Sequence, residues 1–212
     1  MRFRFGSLTL EMSFPLVAVM TAAVLYDSTL SVAVCFAAVI LHEGGHLLVL
    51  WKLHSMPKHI KLTLFDIAII DKNKSVRGTK RELAVVLAGI VSNLLFGALS
   101  ALLLHFTGIA FFEGLLNANL TLAVFNSLPV DSLDGGQALF LLLCEKMNMY
   151  RAMTILDIIS VIVLIPTACL GFLVLLRSGY NFTLLLTAFY LMGVVIMRHS
   201  RIITDKFGEH IE

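Results

Sequence analysis

One stretch decides how this chain is interpreted: Ile40-Leu41-His42-Glu43-Gly44-Gly45-His46-Leu47-Leu48. It contains the pattern H-E-x-x-H inside an apolar run long enough to span a bilayer. On a helix, His42 and His46 lie one turn apart on the same face. This spacing lets two imidazoles bind one zinc ion, with Glu43 placed as a general base. Ionisable groups at membrane depth cost about 2.5–3.5 kcal/mol per charge, so they indicate function. The alternative is a helix end with two histidines near the interface.

Composition places the chain in a membrane. Of 212 residues, 58% are hydrophobic and 14% are charged, with a mean hydropathy of +0.92, whereas soluble domains carry about 25% charged residues. The net charge of +2 is too small to indicate a nucleic-acid partner. The three cysteines, Cys35, Cys144 and Cys169, form no spaced pattern. Two of them lie in apolar runs, so we expect each of these to be a small core residue and not half of a disulfide.

The apolar pattern predicts an all-α membrane protein with six transmembrane helices and a small membrane-associated β-hairpin region. The spans are expected at about 10–26, 30–53, 82–105, 115–128, 152–176 and 182–197. The first run lacks a clear cleavage site, so we interpret it as an uncleaved helix and not as a signal peptide. A loop is expected over 106–119, a further helix over 137–148, and a kink at Pro166.

The segment between the second and third spans is basic. Half of the 16 Lys and Arg residues lie between residues 52 and 81. Within it, residues 60–64 alternate apolar and polar, and the apolar run 67–70 follows, which predicts one or two short hairpins. These could form an amphipathic cap on the membrane, or an exposed strand edge that pairs with an extended peptide.

The third span carries Ala88-Gly89-Ile90-Val91-Ser92-Asn93, whose small residues let helices approach closely. Asn93 needs a polar partner in such surroundings, but its spacing does not identify one.

The fourth span breaks at a run that contains a proline and a glycine pair, Asn126-Ser127-Leu128-Pro129-Val130-Asp131-Ser132-Leu133-Asp134-Gly135-Gly136. Pro129 disfavours helix at the residue before it. Irregular backbone beside a span persists only where it is buried in protein or faces a cavity. Asp134 is therefore a candidate third zinc ligand, with a surface loop as the alternative.

The basic residues also predict the topology. With six spans, all 16 Lys and Arg residues except Arg177 fall on the side of the two termini. This bias predicts cytoplasmic termini and a cytoplasmic basic segment. It also brings the end of the second span and Asp134 toward the same membrane face. Reporter proteins fused after Asp27 and after Arg177 should be located outside the cytoplasm.

Taken together, the three motifs resemble those of the site-2 protease family of intramembrane zinc metalloproteases: H-E-x-x-H, A-G-x-x-x-N and N-x-x-P-x-x-x-L-D-G-G. The resemblance covers about residues 37–140. It implies that His42, His46 and Asp134 bind one zinc ion per chain. It also implies that Glu43 activates the attacking water.

The same resemblance implies residues that contact the substrate. Asn126 and Pro129 match the family's loop, where the asparagine helps to hold the substrate strand or the developing oxyanion. We assign Gly135 and Asn93 to the same group. The stretch 57–77 matches the family's membrane-associated strand region.

The implied activity is hydrolysis of peptide bonds in or near transmembrane segments of membrane-anchored proteins. The partners would be that substrate, the lipid bilayer and a membrane regulatory protein, with no nucleic acid. Six spans resemble the bacterial sporulation-factor-processing branch, which implies a bacterial cell membrane. We expect one membrane-embedded domain over 1–212, with a catalytic core at about 29–148 and no appended PDZ or nucleotide-sensing CBS domain.

Two alternatives remain open at this point. A zinc transporter of the ZIP type also carries H-E-x-x-H in a span, but it is expected to have eight spans and a second ligand-rich helix. A membrane scaffold without protease activity could retain the fold. Glu43 argues against the scaffold, because a structural zinc site needs no base.

Overall fold

The computed structural model of the protein describes residues 2–5, 8–12, 30–56, 59–62, 67–70, 78–179 and 181–208. The strands in this part of the chain are β1 (Arg2–Phe5), β2 (Leu8–Met12), β3 (His59–Leu62) and β4 (Ile67–Ile70). The helices are α1 (Ser31–Lys52), α2 (Thr79–Thr107), α3 (Ala110–Asn126), α4 (Asp134–Cys144), α5 (Met149–Ser178) and α6 (Thr183–Gly208). The predicted predominantly helical architecture is confirmed.

The chain divides into two compact units, Met1–Val124 and Phe125–Glu212. The first unit contains the strands, α1, α2 and nearly all of α3. The second contains α4, α5 and α6. The expectation of one membrane-embedded domain stays a prediction.

The four strands form one sheet in the order β1-β2-β3-β4. β1 pairs antiparallel with β2, β2 pairs parallel with β3, and β3 pairs antiparallel with β4. Because β3 has a partner on each side, the expectation of an exposed edge over 60–64 is wrong for this strand. Only β1 and β4 are edges of the described sheet.

The start of the first predicted span is also wrong. Leu10–Met12 belong to β2, where Leu10 pairs with Ile60. The reason is visible in Leu8-Thr9-Leu10-Glu11-Met12, which alternates apolar and polar as strands do. The rest of that span, 13–26, lies outside the described residues.

The other differences between the predicted and observed elements lie at the ends of helices. Gly108, with φ of 64°, ends α2, and α3 begins at Ala110. The loop predicted over 106–119 is therefore wrong, and only a two-residue turn separates the helices. α4 begins at Asp134, three residues before the predicted start, so Asp134 lies in the first turn of a helix. α5 continues through Pro166.

Three of the described helices, α1, α2 and α5, are long and apolar enough to cross a membrane. Large side chains cover their outer faces: Ile40 is 69% exposed and Leu95 is 66% exposed. A water-facing helix would carry polar residues there, so these faces indicate an integral membrane protein. Cys35 and Cys169 are also exposed, which makes the core prediction wrong for both. The six-span count and the location of the termini stay predictions.

The second unit has its own core. Val130 and Leu133, from the turn before α4, pack with Leu164 of α5 and with Leu191 and Val195 of α6. The apolar residues of the turn thus anchor the segment that leads into Asp134.

Candidate metal centre

α1 presents its two histidines from a buried stripe that recurs every four residues: Val34, Ala38, His42, His46 and Leu50. The two histidines of this stripe lie against α2, which runs antiparallel to α1: His46 contacts Val85, and His42 contacts Asn93. His42 and His46 are only 5% and 8% exposed. Two imidazoles buried to this degree need polar partners.

Both histidines use Nδ1 to bind α2. His46 Nδ1 lies 2.7 Å from the carbonyl oxygen of Val85. A carbonyl can only accept, so His46 donates from Nδ1 and its Nε2 carries a lone pair. His42 Nδ1 lies 3.1 Å from Asn93 Oδ1. This contact likewise makes Nδ1 the donor and leaves Nε2 of His42 as the acceptor.

The two Nε2 atoms then face each other at 3.3 Å. Two lone pairs at this distance repel, and a cation between them removes the repulsion. Two nitrogens bound to one tetrahedral zinc at about 2.0–2.1 Å lie about 3.3–3.4 Å apart. The separation and the tautomers of His42 and His46 therefore fit zinc.

Gly89 makes room for this pair. A Cβ at residue 89 would lie 2.6 Å from His42 Cε1 and 2.7 Å from His42 Nε2, and would overlap His46 Nε2. Side chains do not approach one another so closely, so only glycine fits where α2 passes the imidazoles.

Gly45, between the two histidines, lies directly against α2. A Cβ there would lie 2.6 Å from the Ala88 oxygen and 2.7 Å from Ser92 Cβ, whereas a Cβ at Gly44 would meet no atom within 4 Å. Gly45 thus allows close packing of α1 on α2. Ser92 adds a hydrogen bond from its hydroxyl to the Leu41 carbonyl at 2.7 Å, which fixes the register of the two helices.

The other motif residue of α1, Glu43, is half-buried. Asp134 is half-buried in the first turn of α4. His42, His46 and Asp134 are the candidate ligands of a metal ion, and the assignment of Asp134 to the same site as the histidines stays a prediction. Two neutral imidazoles and one carboxylate are a usual set of zinc ligands.

The loop before Asp134 is tightly built. A Cβ at Gly135 would overlap the Ser127 carbonyl oxygen, and one at Gly136 would overlap the Val130 carbonyl oxygen. The Asp131 amide donates to the Ser160 hydroxyl of α5 at 3.0 Å. The glycine pair therefore lets α4 start directly against this loop. Asn126 ends α3 and Pro129 lies within the loop, and their predicted substrate contacts stay predictions.

Asn93 contacts a histidine of the motif, and its predicted contact with the substrate stays a prediction. Its oxygen binds His42, and this contact was not visible in the sequence because the two residues are 51 positions apart. The only signal was that a buried amide needs a partner.

A cavity of about 640 Å³ lies elsewhere in the first unit, between the first half of α1 and α3. Its lining includes Val34, Val39, Phe111 and Leu122 and neither histidine, so this cavity is not the metal centre.

Comparisons with known proteins identify the fold. The structure is similar to that of a site-2 protease from Methanocaldococcus jannaschii, with a TM-score of 0.64 and 20% sequence identity. The match covers 93% of this chain and 94% of that chain. No protein-family model matches the sequence, and no curated protein matches it. The chain therefore has the fold of that site-2 protease.

Proposed function

We propose that this chain is an intramembrane zinc metalloprotease that hydrolyses peptide bonds in or near the transmembrane segments of membrane-anchored proteins. The observation that carries the proposal is the pair of buried histidine Nε2 atoms, 3.3 Å apart, with Nδ1 of each ring within hydrogen-bond distance of an oxygen of α2. The fold of a site-2 protease supports the same activity.

In this proposal, one zinc ion is held by His42, His46 and Asp134. Bound there, zinc would polarise the scissile carbonyl and lower the pKa of a water toward about 7. Glu43 takes the proton of the attacking water and delivers it to the leaving amine. The histidines stay neutral, so Asp134 brings the single negative charge that partly balances the ion, which limits the cost of the site in lipid.

We further propose that Asn126, Pro129 and Gly135 hold the unwound substrate and stabilise the oxyanion. A transmembrane helix hides its carbonyls in its own hydrogen bonds, so the substrate must open locally before attack. An opened segment could pair with an edge of the sheet, and of the strands in the basic segment, β4 is such an edge. Cytoplasmic termini, a bacterial cell membrane, the sporulation-factor-processing branch and a membrane regulatory partner belong to the same proposal.

The test pairs two substitutions in the full-length protein. Glu43→Gln should retain zinc and abolish cleavage of a co-expressed single-span substrate, because the ligands stay while the base is lost. Asp134→Asn should weaken zinc binding itself. Cleavage by Glu43→Gln at the rate of the wild type would end the protease proposal.

The transporter and inactive-scaffold alternatives are not favoured. The match to a site-2 protease extends over nearly the whole chain. An idle scaffold predicts that Glu43→Gln changes nothing, and a transporter predicts that the variant alters zinc uptake into vesicles instead of cleavage. The paired test therefore separates all three.

A further inference from the structure

Three positions of α2, spaced four residues apart, lie against the histidine pair. Val85 accepts from His46 through its carbonyl, Gly89 leaves space for both rings, and Asn93 contacts His42. Because α1 and α2 are antiparallel, the four-residue spacing of this row matches the four-residue spacing of the histidines. One face of α2 is thus shaped to the two imidazoles.

The two histidines are fixed in different ways. His46 is held by a backbone carbonyl, which persists whatever side chain occupies residue 85. His42 is held by the amide of Asn93, which is 0% exposed. The choice of the His42 tautomer therefore depends on a side chain.

That choice has a chemical consequence. With Asn93 Oδ1 as acceptor, His42 carries its proton on Nδ1 and turns a lone pair toward the metal position. In the other tautomer, Nε2–H of His42 would point at Nε2 of His46, 3.3 Å away. The resulting histidine–histidine hydrogen bond would occupy the place of the ion.

Burying the amide of Asn93 also costs free energy. Its Nδ2 group is buried without a hydrogen-bond partner among the residues that the structure describes. An apolar residue would avoid this unsatisfied donor. The oxygen on the same amide must therefore contribute something that an apolar residue cannot, and its one described contact is His42.

We propose that Asn93 is a positioning residue that fixes the tautomer and ring orientation of His42, so that the histidine pair is ready for a metal instead of bonded to itself. This inference rests on the proposed function, since it takes zinc as the ion. It assigns Asn93 to the ligand and not to the substrate. A partner that orients a ligating histidine typically contributes 10–100-fold to metal affinity.

The test uses full-length protein in detergent micelles, stripped of metal and titrated with zinc against a competing chelator. Asn93→Ala removes the acceptor and should weaken zinc binding about 10–100-fold. Asn93→Asp restores an acceptor and should bind zinc at least as tightly as the wild type. Asn119→Ala is the matched control, because Asn119 is equally buried and donates to Leu115 of its own helix.

A second measurement reports the tautomer directly. The ¹⁵N shifts of histidine-labelled, metal-free protein should show His42 protonated at Nδ1 in the wild type and in Asn119→Ala. They should show it protonated at Nε2 in Asn93→Ala. A purely structural role for Asn93 would lower thermal stability without moving these shifts.

The outcomes are distinguishable. Wild-type protein without stoichiometric zinc overturns the proposed function and this inference with it. Wild-type protein that binds zinc, with Asn93→Ala binding as tightly as Asn119→Ala, overturns the inference alone. If Asn93→Ala does not fold, Asn93→Asp decides: wild-type affinity supports the inference, and a loss of 10-fold or more refutes it.

Discussion

A methyl group at Gly89 tests how closely α2 shapes the metal centre. In Gly89→Ala the new Cβ would lie 2.6 Å from His42 Cε1 and would overlap His46 Nε2. Ordinary carbon contacts are about 3.5–4.0 Å, so the rings or the helices must move by about 1 Å. Overpacking of this kind costs about 1–3 kcal/mol. If that cost falls on the metal-bound arrangement, zinc affinity drops by about 5–150-fold.

The assay is the same chelator competition, together with thermal unfolding in detergent. Gly97→Ala is the matched control, since Gly97 is also a buried glycine of α2. A Cβ there would lie 3.6 Å from Leu120 Cδ2 and 3.7 Å from Asn119 Cβ, which is ordinary contact. The control should keep zinc affinity and gain up to about 1 kcal/mol from helix propensity. Equal zinc affinity in Gly89→Ala and Gly97→Ala would refute the close fit.

Two further predictions concern stability. Gly45→Ala should destabilise the packing of α1 on α2 by about 1–3 kcal/mol, because its Cβ would lie 2.6 Å from the Ala88 oxygen, whereas Gly44→Ala should be neutral or stabilising by up to about 1 kcal/mol. Thermal unfolding of the two variants side by side checks this, and equal losses would contradict it. Zinc at 100 times its dissociation constant should stabilise the fold by about 2.7 kcal/mol. Chelation should remove that increment in the wild type and have no effect in His42→Ala; a wild type insensitive to chelation would contradict the prediction.

Local sequence predicted those features that depend on neighbouring residues. The apolar run around the motif predicted a helix over about 30–53, and α1 spans Ser31–Lys52. The four-residue spacing of His42 and His46 predicted one shared face, and both side chains lie in the same buried stripe. Both results follow from helix geometry alone.

Contacts between distant residues could not be predicted in this way. Asn93 needed a partner, but a helix offers no signal for which side chain of another helix it will meet. The sequence predicts the start of a helix where the structure has β2, because the pairing of β2 with β3 joins residues about 50 positions apart. Polar residues also misled the prediction: Asn119 lies inside α3 and donates to the Leu115 carbonyl of its own helix, so it does not mark a loop.

The motif on α1 and the motif on α2 act together on the histidine pair. H-E-x-x-H on α1 brings two imidazoles to one face but leaves their tautomers undetermined. The Gly89 and Asn93 positions on α2 supply the missing space and the acceptor. Their effect depends on register, because sliding α2 by one residue turns its side chains by about 100° and would put a larger residue against the rings. The hydrogen bond from Ser92 to Leu41 fixes that register. By fixing the tautomer of His42, Asn93 thereby determines whether the two histidines can share an ion.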